Sequence, residues 1–391
     1  MTNESPLLAG VANRISRETL SFRSKMLALA ASLPDVIAMG RGDPDFNTPA
    51  HICEAAKRAI DANQHHYTLP AGLVELREAI ADTLCRDNDL HYSASEIIVT
   101  AGVQESLMLC MLALVNAGDE VLIPSPRFTS YDDAIVLCGG VPVPVPTYQE
   151  DDFALMPAEI EKLITPRSKV LALVTPNNPT GAVTPPAVIR EIAALAERHN
   201  LIVISDEIYS KIIFEGSEHL SFGSLPGMKA RTITLNGFSK SYAMTGWRVG
   251  YMAAPEVFTQ LLIEPRHTLS VNANTPAQWA ALAALTGPQD AVAAMVAAYT
   301  ERRAFMMQAL DAMDISYGHP GGAFYVYANI QRFGMPAPAF CETLLRETGV
   351  FVLPGDMFGD TSGNYVRFGL LQPLDRIAEA VERMQTFVAS R

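Results

Sequence analysis

Residues 236–250 read NGFSKSYAMTGWRVG, and the apolar run Thr232-Ile233-Thr234-Leu235 precedes them. A short run rich in β-branched residues reads as a buried strand. Just past it come Ser239 and Lys240 among Gly, Ser and Ala, with Arg248 eight positions after the lysine. Surface lysines carry their charge into water on a long stem and gain nothing from small neighbours on both sides. Two readings follow. One is a loop lysine with an arginine nearby. The other is a lysine held in a pocket, its amine desolvated enough to be neutral and nucleophilic, with Arg248 as a fixed anion clamp. The stretch alone leaves both open, and the flanking chain decides.

From residue 95 to about 254, strand-like runs (97–101, 120–123, 141–145, 170–175, 201–205, 232–235 and 249–253) alternate with helical periodicity at 104–115, 131–137 and 186–199. That order predicts an α/β architecture, a mostly parallel sheet covered by helices on both faces. Beyond it, 291–312 reads as a long helix, 322–329 (GAFYVYAN) as a strand, 340–348 as a helix, 365–369 as a strand and 374–389 as a terminal helix. These form a second, smaller α+β layer. The N-terminal segment, with its own apolar stretch at 36–39, is expected to pack with it. The expected division is a large domain over 50–285 and a small one over 1–49 and 286–391.

At 391 residues and 49% hydrophobic, the chain is long enough for two domains and too apolar for disorder. A net charge of −13 argues against nucleic acid or an anionic membrane as partner, and suits an enzyme whose anionic substrate is caught by local arginines. The opening MTNESPLLAG lacks the basic start and apolar core of a secretory signal, and the longest apolar run, 107–115, is too short for a bilayer. The five cysteines (Cys53, Cys85, Cys110, Cys138, Cys341) form no CxxC and read as reduced core thiols. A cytoplasmic protein is expected. His51 and His65-His66 lack metal spacing, so no metal site is expected, and Gly40-Arg41-Gly42 lacks the third glycine of a dinucleotide fingerprint.

Ligands of open parallel sheets bind outside the carboxyl ends of the strands, and the unusual residues fall there. Gly102-Val103 follows the first strand and opens a helix, a turn suited to an anion such as phosphate. PNNPTG (176–181) holds Asn178 in a turn that does not itself demand asparagine. In SDEIYS, Asp206 follows a buried strand, where a carboxylate is costly unless paired, and Tyr209 lies just beyond. One arrangement accounts for all of them. A phosphorylated aromatic cofactor lies across the sheet edge, with Gly102, Val103 and Arg248 at its phosphate, Asp206 at its ring nitrogen, Asn178 and Tyr209 at its phenolic oxygen and Lys240 at its aldehyde. A lysine Schiff base with an acidic pyridinium partner belongs to pyridoxal phosphate.

With GDPDF (42–46), YTLPAG (67–72) followed by Leu76-Arg77, and YVRFGL (365–370), these motifs resemble the fold-type I pyridoxal-phosphate enzymes of the class I/II aminotransferase family, closest to the bacterial aspartate/aromatic branch. The resemblance covers nearly the whole chain, and six motifs in the right order are specific. It implies a ping-pong aminotransferase acting on an L-amino acid and a 2-oxo acid. It implies Lys240 as the Schiff-base and proton-shuttling lysine, Asp206 as pyridinium partner, and Tyr209 and Asn178 at the ring oxygen. Arg248, Gly102, Val103 and Ser239 would serve the phosphate, and Phe128 would stack on the ring. Arg367 would grip the substrate α-carboxylate, with Gly42 and Asn178 contacting substrate. Tyr67 would reach the phosphate of the neighbouring subunit, which implies a homodimer. The chain departs from the branch in two places: Val103 stands where aspartate-using members often carry a lysine, and Phe128 where many carry tryptophan. Both changes fit an apolar or aromatic substrate better, although Arg41 and Arg127 lie near enough in sequence to supply a charge. A β-lyase or related α-carbon chemistry on the same fold is the alternative.

Overall fold

The computed structural model describes residues 22–391 together with 7, 10–12 and 15. Most of the expectation for the first ten residues, and part of that for 1–49, lies outside them. The strands are β1 (Ile37–Ala38), β2 (Ile97–Thr100), β3 (Glu120–Ser125), β4 (Val141–Pro146), β5 (Ser168–Val174), β6 (Ile202–Asp206), β7 (Thr232–Gly237), β8 (Gly250–Ala253), β9 (Tyr325–Asn329), β10 (Val350–Phe351), β11 (Leu353–Pro354) and β12 (Tyr365–Gly369).

Seven of them form one sheet in the order β2-β8-β7-β6-β5-β3-β4. Only β8 runs against its neighbours. Alternate residues enter two separate cores. Val121, Ile123, Val170 and Ala172 meet Leu107, Met111, Ile135 and Leu262 on one face. Leu122, Leu171 and Leu173 meet Ile189, Ile192 and Leu195 on the other. Burial on both faces explains why these strands read as continuous apolar runs. The VPVPVP strand β4 sits at the sheet edge, where its missing N–H groups cost no ladder bonds.

The C-terminal layer is the antiparallel sheet β11-β12-β9. It packs with the helices Asp290–Ala312, Ala337–Thr348 and Leu374–Ala389 in a core that also holds Ile37 and Met39. Ile37 pairs in parallel with Val350, so the segment before the large sheet is tied to the end of the chain. The expected elements differ from the observed ones by a residue or two, except at GAFYVYAN, where the strand begins three residues later, at Tyr325, and at the helix expected over 340–348, which begins three residues earlier, at Ala337. All five cysteines are free, but Cys85 is exposed, which corrects the expectation of core thiols. It lies in the helix Val74–Asn88 off the buried face formed by Leu76, Ile80 and Leu84. Among the described residues no single helix is long and apolar enough to cross a membrane.

Candidate active site

The carboxyl ends of β2, β3, β5, β6 and β7 open on one edge of the sheet, and the reversed β8 brings its amino end there too. Lys240 lies three residues past β7, and its Nζ donates to the Gly42 carbonyl at 2.6 Å. Part of the residue stays open to solvent, but the amine is enclosed, and burial pushes its pKa down to about 8. The nearby Asp43 and Asp206 oppose that fall, while Arg367 and Arg248 reinforce it.

Asp206 ends β6 and is 7% exposed. Tyr131 donates its hydroxyl to Oδ2 at 2.9 Å, and the Ile208 N–H donates to Oδ1 at 3.2 Å. Among the described residues it forms no ion pair, and burial lifts its pKa to about 6. The Tyr209 hydroxyl lies 3.1 Å from that of Tyr325. Arg367, on β12, donates to Asn178 Oδ1 at 2.8 Å and to the Gly40 carbonyl at 2.7 Å. Its guanidinium sits 4.3 Å from the Tyr325 ring centre and 4.5 Å from that of Phe358. The buried fork is thereby fixed in plane and direction.

The Gly102 turn leads into the helix Val103–Leu114, whose N-terminus has no side-chain cap from Gly102. Gly102 has φ +85°, and a Cβ there would lie 2.7 Å from Arg248 Nη2. Arg248 itself has φ +53° and donates to the Thr245 carbonyl at 2.9 Å, leaving an exposed guanidinium against the turn. Holding a non-glycine residue there costs about 1–3 kcal/mol, which the surrounding fold must supply. Ser239 is buried beside Lys240, while Phe128 is 41% exposed beyond β3. Tyr67 is 82% exposed and hydrogen-bonds to none of these residues.

Four participants escaped the sequence reading: Tyr131, Tyr325, Phe358 and the buried pair formed by Glu207 and His219 at 3.1 Å. Tyr131 follows Phe128 by three positions on a helix face, and nothing in its spacing sets it apart from a core tyrosine. The two candidate charges separate. Arg127 is buried and paired with Asp132, Nε to Oδ2 at 2.8 Å. Arg41 is exposed and forms no ion pair among the described residues.

The profile of "Aminotransferase class I and II" matches residues 34–384. The chain belongs to this family. It is 39% identical over 364 residues to aromatic-amino-acid aminotransferase 2 of Thermococcus litoralis, and 41% identical over 364 residues to the aspartate aminotransferase of Pyrococcus abyssi. Each match covers 92% of this chain and 94% of the relative. The aromatic aminotransferase of Pyrococcus horikoshii superposes with a TM-score of 0.89 at 40% identity, covering 94% of this chain and 99% of that one. This aminotransferase uses pyridoxal 5'-phosphate and moves an amino group between an amino acid and a 2-oxo acid. The residues present fit that cofactor. The buried carboxylate of Asp206 lacks a cation that a protonated ring nitrogen supplies. The uncapped helix N-terminus beside Arg248 suits a phosphate, and the Lys240 amine suits an aldehyde.

Proposed function

We propose that this aminotransferase prefers an amino donor with an apolar or aromatic side chain, and that the residues around Lys240 divide the work as follows. Arg367 holds the substrate α-carboxylate through its braced guanidinium, with Asn178 and Gly42 lining the same space. Pyridoxal phosphate, when bound, supplies an aldehyde for the substrate amine and a ring that accepts electron density from the α-carbon. Lys240 takes and returns the proton. Its Nζ is oriented by the Gly42 carbonyl, and with a pKa near 8 a useful fraction of the amine is a free base close to neutral pH. Asp206 keeps a negative charge opposite the ring nitrogen, and Tyr131 keeps that carboxylate in place. Tyr209 and Asn178 serve the ring oxygen, Gly102, Val103, Ser239 and Arg248 hold the phosphate, and Phe128 covers the ring. Tyr67 completes the phosphate site of a neighbouring subunit, so the enzyme is a homodimer, and it works in the cytoplasm. Its domains are a large cofactor-binding one of residues 50–285 and a small one of 1–49 and 286–391.

One observation carries the reading of the site: a desolvated lysine and an unpaired buried carboxylate meet at one sheet edge. The donor preference rests on Val103 in the phosphate turn and on Arg127 being spent on Asp132. The two relatives, one named for aromatic amino acids and one for aspartate, match at nearly equal identity and favour neither.

The test is the absorbance spectrum of the protein mixed with pyridoxal phosphate, wild type beside Lys240→Ala, before and after single amino acids. A visible band in the wild type alone, bleached faster by phenylalanine or tyrosine than by aspartate, is expected. A band of equal strength in the variant overturns the lysine assignment. Faster bleaching by aspartate overturns the donor preference.

A further inference from the structure

The segment Gly40-Arg41-Gly42 lies against the heart of the site. The Gly40 carbonyl accepts from Arg367 and the Gly42 carbonyl accepts from Lys240, so the backbone on either side of Arg41 touches both residues. Neither neighbour has room for a side chain. A Cβ on Gly42 would lie 2.9 Å from the Tyr325 hydroxyl, and one on Gly40 would lie 2.9 Å from the Phe351 ring. The Arg41 carbonyl is itself pressed against β12, 2.9 Å from where a Cβ on Gly369 would stand. Arg41 is therefore the one side chain on a tightly seated stretch of loop.

The other cations near the site are committed. Arg367 is held by Asn178 and Gly40, Arg248 leans on the phosphate turn, and Arg127 is paired with Asp132. Arg41 is exposed and, among the described residues, its side chain forms neither a hydrogen bond nor an ion pair. An exposed guanidinium on a long stem keeps its charge in water at little cost and is suited to bind a carboxylate.

Resting on the reading of the site given above, we infer that Arg41 recognises the distal carboxylate of a dicarboxylic 2-oxo acid, which is thereby admitted as amino acceptor to a pocket otherwise suited to apolar side chains. Arg41 is a specificity-determining residue and takes no part in proton transfer.

The experiment uses the aminated holoenzyme and follows the return of the visible band with 2-oxoglutarate or with phenylpyruvate, in wild type, Arg41→Ala and Arg41→Lys. Calorimetric binding of succinate and of 3-phenylpropionate to the holoenzyme gives a readout independent of turnover. Arg41→Ala is expected to weaken 2-oxoglutarate and succinate by about tenfold or more, the scale of a charge-assisted bond. Phenylpyruvate and 3-phenylpropionate should be nearly unaffected, and Arg41→Lys should recover part of the loss. Added salt should erode the preference for the diacid in the wild type and not in Arg41→Ala. Equal losses for both acids would make Arg41 a loop-packing residue and overturn the inference. So would no loss for either, or a wild type that rejects 2-oxoglutarate while accepting phenylpyruvate. Failure of both acids in the wild type would instead sink the site reading beneath it.

Discussion

Asp206 and Lys240 are both driven toward neutrality by burial, and the consequences of the two shifts can be separated by pH. Burial raises the Asp206 pKa from 3.8 to about 6, so between those values the folded protein holds a proton that the unfolded chain releases. Stability of the cofactor-free protein must then fall as pH rises across that window, by on the order of 3 kcal/mol if the full shift is realised. Asp206→Asn removes the dependence. Cofactor-free Asp206→Asn is expected to melt above cofactor-free wild type at pH 7, while transamination drops by about a hundredfold or more. Thermal unfolding at several pH values beside a turnover assay checks both halves. The Tyr131 hydrogen bond lowers the Asp206 pKa. Tyr131→Phe should therefore move the acidic limb of the kcat profile to higher pH, and an unmoved limb would mean that the hydroxyl only fills space.

At the scale of elements, the strand-to-helix turn at Gly102 shows how a single missing Cβ shapes a binding feature. Its positive φ and its contact with Arg248 both exclude a side chain. Gly102→Ala should push the guanidinium off the turn and weaken pyridoxal phosphate binding by about tenfold or more, as read by titration of the visible band. The turn was legible because a glycine between an apolar strand and a helical period has few other uses. So was the Asp206 position, since a carboxylate closing a hydrophobic run demands a partner. Tyr131, Tyr325 and Phe358 were not legible. Each sits in an element whose pattern is satisfied by an ordinary core aromatic. The packing of β9, β12 and the 355–358 turn around Arg367 gives Tyr325 and Phe358 another task, and the approach of the helix Ser130–Leu137 to the end of β6 gives Tyr131 its bond to Asp206.

Across the whole molecule, the loop that carries Gly40 to Phe46 is held from a distance. Arg302, in the helix Asp290–Ala312, grips Asp45 through both nitrogens at 2.7 and 2.9 Å and also donates to the Leu370 carbonyl. Breaking a largely buried pair leaves a charge stranded. Arg302→Ala should cost about 3 kcal/mol in stability and raise KM more than it lowers kcat, because the loop proposed to meet the substrate loses its anchor. Unfolding curves and steady-state kinetics test the two parts together. The exposed Tyr67 carries the proposal of a shared site. Dimers mixed from Tyr67→Phe and Lys240→Ala subunits should regain one native site each and exceed the activity of either parent. Mixing without any gain would place Tyr67 in its own subunit's site or outside both.

The sequence by itself determined the alternating α/β order, the sheet edge at which the chemistry gathers, and the identities of Lys240, Asp206, Asn178, Tyr209, Arg248 and Arg367 as candidates. All but Arg367 follow from local causes: period, turn chemistry and the cost of a charge beside an apolar run. Arg367 follows only from the resemblance of YVRFGL to the family motif. Which charges remain free was decided only by tertiary structure. Arg41 and Arg127 look equivalent along the chain, yet Arg127 is turned inward onto Asp132 and Arg41 stands open between two glycines pressed on the site. The reversal of β8, which sets Arg248 against Gly102, was likewise decided by strand pairing. Burial and pairing depend on groups brought together from distant parts of the chain, and no local pattern records them.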